Sequence, residues 1–187
     1  GPNYRRNCCG HRYLFVIFIL LIVEMLSTGT RAPDFELPGV VGDERDRYRL
    51  SDCVDDRKVL LAFYPCDFSP VCTRELCAIR DVEWFDFEEN LQVFGVSQDS
   101  LYAHGEFVGQ HDITFPLLAD TRGDVTEEYD VRYDSWEGQA GIGKRAFFLV
   151  DESRTVRYAW ATDDAYHDPD LQALLDALAE VRNLSAA

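Results

Sequence analysis

Apolar runs and helical repeats alternate along most of this chain. Val59 to Tyr64 is an uninterrupted apolar stretch, the signature of a strand buried on both faces. After a turn rich in Pro, Asp and Ser, residues Cys72, Leu76, Ile79 and Val82 recur at i, i+4, i+7 and i+10. That spacing puts them on one face of a helix predicted to run to about Trp84. Leu91 to Val96 reads as a second buried strand. Residues 100–110 read as helix, Phe115 to Leu118 as extended chain and Asp124 to Tyr129 as helix. Ala146 to Val150 and Val156 to Trp160 predict two antiparallel strands across the turn at residues 151–154, and 169–182 is an amphipathic closing helix. Pro and Gly around Phe35 to Leu37 predict a short edge hairpin. Strand and helix in this order predict an α/β fold with a central mixed β-sheet flanked by helices.

The first 24 residues break this pattern. They hold Arg5, Arg6, Arg12, one acid (Glu24) and the apolar run Leu14 to Val23. Ten apolar residues are too few to span a bilayer, which takes about 20, but they fit a signal-peptide core of about 7–15. The only methionine, Met25, stands where the composition switches. We read residues 1–24 as a discordant apolar leader, outside the native mature protein, and 25–187 as the domain. An export signal or weak membrane anchor is the alternative.

Charge narrows the partners. Across 187 residues, 34 Asp and Glu against 18 Lys and Arg leave a net charge of −16, which argues against nucleic acid and anionic membranes. Only Lys58 and Lys144 are lysines. A carboxylate-rich surface nearly free of lysine predicts adaptation to strong salt, as in a halophile; ordinary acidic solubility is the other reading.

Six cysteines carry the candidate chemistry: Cys8, Cys9, Cys53, Cys66, Cys72 and Cys77. None shows C-x2-C spacing, so a zinc site is not expected. Ser69-Pro70 is a good helix opening, with serine as N-cap and proline at the first helical position. Cys72 then falls in the first turn, where free amides and the positive end of the helix dipole favour thiolate. That makes Cys72 a candidate nucleophile. Cys53, in an acidic segment, reads as a bystander. His104 and His111 read as surface or capping groups.

The segment Pro65-Cys-Asp-Phe-Ser69-Pro-Val-Cys72 resembles the Pro-x-x-x-Thr/Ser-x-x-Cys signature of peroxiredoxins. Around it, Phe63-Tyr64, Glu75, Gly95-Val-Ser97, Phe115 to Asp120 and Arg145 to Asp151 are similar to later landmarks of that family, over residues 29–182. Cys77, five residues beyond Cys72, is similar to the resolving position of the bacterioferritin-comigratory-protein subgroup. The resemblance implies a thioredoxin-like fold and a cytoplasmic peroxidase, monomer or homodimer, without metal or bound organic cofactor. Hydrogen peroxide and small organic hydroperoxides would be its substrates and a thioredoxin-like dithiol its reductant. In that scheme Cys72 is peroxidatic and Arg145, Ser69 and the helix-start amides stabilise its charge. Pro65 shields it, Glu75 holds Arg145, and Cys77 resolves the sulfenic acid.

Ser69 where threonine is commoner keeps the hydroxyl, and the extra Cys66 is a rival resolving thiol. On one regular helix, a five-residue offset separates Cα atoms by about 8–9 Å. Disulfides need less than about 7 Å, so a Cys72–Cys77 bond requires the first turns to unwind, which Trp84 fluorescence would report. Two other readings stay open: a membrane-tethered or exported thioredoxin-like disulfide carrier, and an acidic interaction module with inert cysteines.

Overall fold

The computed structural model describes residues 25–82 and 90–185; the expectations for residues 1–24 and for Trp84 fall outside these. In chain order the elements are β1 (Glu36–Val41), β2 (Glu44–Arg49), α1 (Leu50–Cys53), β3 (Lys58–Phe63), α2 (Pro70–Asp81) and β4 (Leu91–Ser97). There follow α3 (Leu101–His111), β5 (Leu117–Ala119), α4 (Asp124–Glu128), the short pair β6 (Ser135–Trp136) and β7 (Gln139–Ala140), β8 (Arg145–Val150), β9 (Val156–Thr162) and α5 (Leu171–Ser185).

Seven strands form one sheet in the order β2-β1-β5-β4-β3-β8-β9. β3 pairs in parallel with β4 and antiparallel with β8, and β4 runs parallel to β5. The apolar runs explain this order, because every residue of β3 and of β8 is buried and such strands belong in the middle. Side chains of β3 alternate between two cores. Val59, Leu61 and Phe63 pack with Phe94, Val96, Leu118, Phe148 and Val150, under Leu50 and Val125. Leu60, Ala62 and Tyr64 pack with Cys72, Leu76 and Ile79 of α2, Phe107 and Val108 of α3 and Leu174 of α5. Each such aliphatic or aromatic side chain contributes about 1.5–3 kcal/mol on burial.

The edge behaves as its composition demands. β2 reads Glu-Arg-Asp-Arg-Tyr-Arg and only Tyr48 is even partly covered. Arg47 and Arg49 both bind Glu36 of β1, at 2.6 and 2.7 Å. A charged edge of this kind discourages strand addition by another chain.

Three features depart from expectation. α2 stops at Asp81, with Val82 in extended conformation as its C-cap (ψ 129°), so the last apolar position of the repeat lies past the helix. The β6–β7 hairpin escaped prediction because its strands have two residues each. Its turn is marked only by Glu137 and Gly138, both at positive φ (49° and 76°). Third, His104 is fully buried. It lies on the apolar face of α3, three and four residues before Phe107 and Val108, and has polar partners there. Among the described residues, no helix is long and apolar enough to cross a membrane.

Candidate active site

The loop leaving β3 turns directly into α2 and sets the site. Ser69 is the N-cap of α2, with extended φ/ψ, and its Oγ accepts the Cys72 backbone N–H at 3.3 Å; Pro70 occupies the start of the helix. One of the orphan donors of the helix start is thereby satisfied. Cys72 is fully buried against Tyr64, Leu76 and their neighbours. Pro65 is buried in the loop before it.

Arg145, the first residue of β8, comes from the other side of the site. It is among the largest fully buried side chains. Its Nη2 donates to the carbonyl of Ala165 at 2.8 Å and to Cys72 Sγ at 3.5 Å. Its Nη1 pairs with Glu75 Oε2, one turn beyond Cys72 on α2. The guanidinium is therefore shared among a thiol, a carboxylate and a carbonyl, a division that only its planar fork allows. A buried charge needs such compensation, and Glu75, itself buried, supplies it.

Chain folding thus assembles Cys72, Ser69, Arg145 and Glu75, with Pro65 in the adjoining loop. Cys77 lies further along α2, partly exposed, and Cys66 is half-buried in the loop. All four described cysteines are free thiols. Burial, together with the nearby Cys72 and Asp99 charges, pushes the Cys66 thiol up to about 12. Cys53 packs at the rim of the first core, and burial raises its thiol as well.

Sequence reading missed the network that fixes the loop. Asp67 accepts from the Tyr64 hydroxyl at 2.8 Å and pairs with His104 Nδ1 at 2.8 Å, all three side chains being buried. Its backbone N–H donates to Asp99 at 2.9 Å, and Asp99 also takes the Ser97 hydroxyl at 2.7 Å. Burial and the Asp67 charge hold the Tyr64 phenol protonated, well above its ordinary range. Phe68, at φ 63°, lays its ring against Phe107 at 5.2 Å. The position of His104 on the apolar face of its helix was the available signal. A cavity of about 270 Å³ opens beside the site, lined by Ser69, Pro70, Val71, Trp136, Ala165 and Tyr166.

A thiol at a helix start, beneath a buried arginine held by a carboxylate on a mixed sheet, defines the class of thiol-dependent redox proteins. Comparison with known proteins narrows the class. A model of the AhpC/TSA family matches residues 28–159. The Bcp protein of Coxiella burnetii is 37% identical over 139 residues, covering 72% of this chain and 88% of its own. Peroxiredoxin Bcp of Bacillus subtilis is 34% identical, covering 72% of this chain and 85% of its own. For the chloroplastic 2-Cys peroxiredoxin BAS1 of Spinacia oleracea, 32% identical, the match spans only 52% of the relative's length. Among solved structures, peroxidoxin BcpB of Mycobacterium tuberculosis superposes with TM-score 0.72 at 29% identity, over 84% of this chain and 99% of that one. The reduced 2-Cys peroxiredoxin of Plasmodium vivax gives 0.75 at 26% identity, over 85% and 83%. The chain belongs to the AhpC/TSA family of peroxiredoxins, and its mixed sheet with flanking helices is the thioredoxin-like fold of these neighbours.

Proposed function

We propose that this protein reduces hydrogen peroxide and small organic hydroperoxides through Cys72. The contact that carries the reading is Arg145 Nη2 at 3.5 Å from Cys72 Sγ, at the start of α2. The Cys72 thiolate attacks one peroxide oxygen. The O–O bond breaks, sulfur is oxidised by two electrons to a sulfenic acid, and the departing hydroxide or alkoxide takes a proton to leave as water or alcohol. Arg145 and the helix-start amides place positive charge where the thiolate sits and where the leaving oxygen gains its charge. Glu75 orients the guanidinium, the Ser69 hydroxyl holds the first turn, and Pro65 keeps water away. The cavity beside Ser69 and Ala165 adjoins the capped first turn and the carbonyl that Arg145 binds.

Cys77 then resolves the sulfenic acid as an intramolecular disulfide, which a thioredoxin-like dithiol reduces. The alternative resolver, Cys66, is disfavoured because burial, the largest cause of its raised thiol, persists after Cys72 is oxidised and disfavours its thiolate. Cys72 and Cys77 both lie on α2, so the disulfide requires its first turns to open, a local unfolding that also exposes the bond to the reductant. Rapid quenching of reduced protein with one equivalent of hydrogen peroxide, followed by mass mapping of every cysteine, tests this sequence. Fast loss of Cys72 and a Cys72–Cys77 bond are expected. A Cys66–Cys72 bond overturns the resolver, and slow indiscriminate oxidation overturns the peroxidase.

The lysine-poor acidic composition supports a salt-adapted protein. Its expected behaviour is cooperative unfolding on dialysis into low salt, followed by circular dichroism. Indifference to salt removes the adaptation.

A further inference from the structure

Arg80, which the peroxide step does not use, is placed on the second thiol. It lies three residues beyond Cys77 on α2, and helical side chains lean toward the N-terminus, so its guanidinium lies back over that cysteine. Arg80 Nη1 is 3.7 Å from Cys77 Sγ and also donates to the carbonyl of His111 at the end of α3. Its Nε binds Asp81 at 2.7 Å. Asp112, just past α3, is the other carboxylate whose charge bears on it. The Arg80 side chain is mostly covered, and Cys77 is partly exposed.

We propose that Arg80 is the positioning residue of the resolving step, supplying the cation that stabilises the Cys77 thiolate and anchoring its helical turn. The inference rests on the proposed roles of Cys72 and Cys77. In the step concerned, the Cys77 thiol gives up its proton to solvent and the thiolate attacks the Cys72 sulfenic sulfur. The S–S bond forms, the S–O bond breaks, and the departing hydroxide is protonated to water. A thiolate is the competent attacker, and a guanidinium donor within reach of sulfur favours it by a charge-assisted bond. The bond to His111 adds a second effect. It fastens α2 to α3 beyond the turns that must open, so Cys72 travels to Cys77 while Cys77 stays put. The cation also leaves the peroxide site untouched, since Cys72 answers to Arg145.

The experiment is stopped-flow oxidation of the full chain by hydrogen peroxide, following Cys72 oxidation and disulfide formation as separate phases in wild type, Arg80→Gln, Arg80→Lys and Cys77→Ser. In Arg80→Gln the first phase keeps its wild-type rate. The second slows about 10-fold at neutral pH, the size of one charge-assisted hydrogen bond lost from the attacking sulfur. It recovers as pH rises, because hydroxide then makes the thiolate unaided, and Arg80→Lys recovers much of the rate at neutral pH. An unchanged second phase overturns the proposal. So does a slowing that neither pH nor lysine relieves, which marks a merely structural role. Wild-type Cys72 that resists peroxide, or a Cys77→Ser protein that forms its disulfide at the wild-type rate, overturns the underlying reading and this inference with it.

Discussion

Arg145→Gln is expected to slow the oxidation of Cys72 by hydrogen peroxide about 10²- to 10³-fold, the loss typical when one preorganised donor to a developing charge is removed. The arginine is fully buried and reaches the sulfur, the Ala165 carbonyl and Glu75 at once. Its charge therefore acts in a site from which water is excluded, where an electrostatic contact is far stronger than in bulk solvent. Glutamine keeps part of the volume and a hydrogen-bond donor but carries no charge, so the change separates electrostatics from packing. The effect is predicted on the second-order rate constant of the first oxidation, measured in a single turnover by stopped-flow. Arg145→Lys is expected to fall between glutamine and wild type, since a point charge cannot serve three partners in one plane. A wild-type rate in Arg145→Gln would remove arginine from the chemistry and leave it a purely structural role.

Glu75→Ala carries the second large effect, this time on stability. Glu75 is buried, and its carboxylate pairs with the buried Arg145 guanidinium. Removing one member of a buried ion pair strands the other charge in a low-dielectric interior, a loss of about 3–5 kcal/mol. Urea denaturation at fixed salt should show a lowered midpoint with an unchanged slope. In a chain of this size the melting temperature should fall by roughly 2–4 °C for each kcal/mol. The double replacement Glu75→Leu with Arg145→Met is expected to recover much of the stability, because apolar side chains of similar volume fill the gap without a charge to solvate. It should not recover activity. Equal losses of stability in single and double variants would show that packing, not the ion pair, dominates there.

Part of this site is legible in the sequence. Ser69-Pro70 marks the start of α2 through capping and proline chemistry that acts within one turn. Cys72 in that turn followed from counting. The resemblance then proposed Arg145 and Glu75 as partners, and the fold brings these residues, 70 apart in sequence, into contact. The sequence reads His104 as a surface group because a histidine in a polar-looking segment gives no sign of burial until its helix face is compared with Phe107 and Val108. Asp67 gives as little local sign, since a carboxylate in a turn is ordinarily solvated. Its role depends on Tyr64 and His104, and nothing local in the sequence predicts that meeting.

The sequence by itself determined most of the order of strands and helices (though not α1 or the β6–β7 hairpin), the buried strand at Val59 to Tyr64, the strand at Ala146 to Val150, and the thiol at a helix start. All of these are set by side-chain periodicity and backbone preference, interactions reaching only a few residues along the chain. The tertiary structure alone decided which charges meet. It placed Arg145 between Cys72 and Glu75, Asp67 between Tyr64 and His104, and Arg80 between Cys77 and the end of α3. Except for the short reaches from Arg80 to Cys77 and from Asp67 to Tyr64, these meetings join distant segments. They form only when burial of both faces of the sheet brings those segments together and removes the water that would otherwise hold the charges apart.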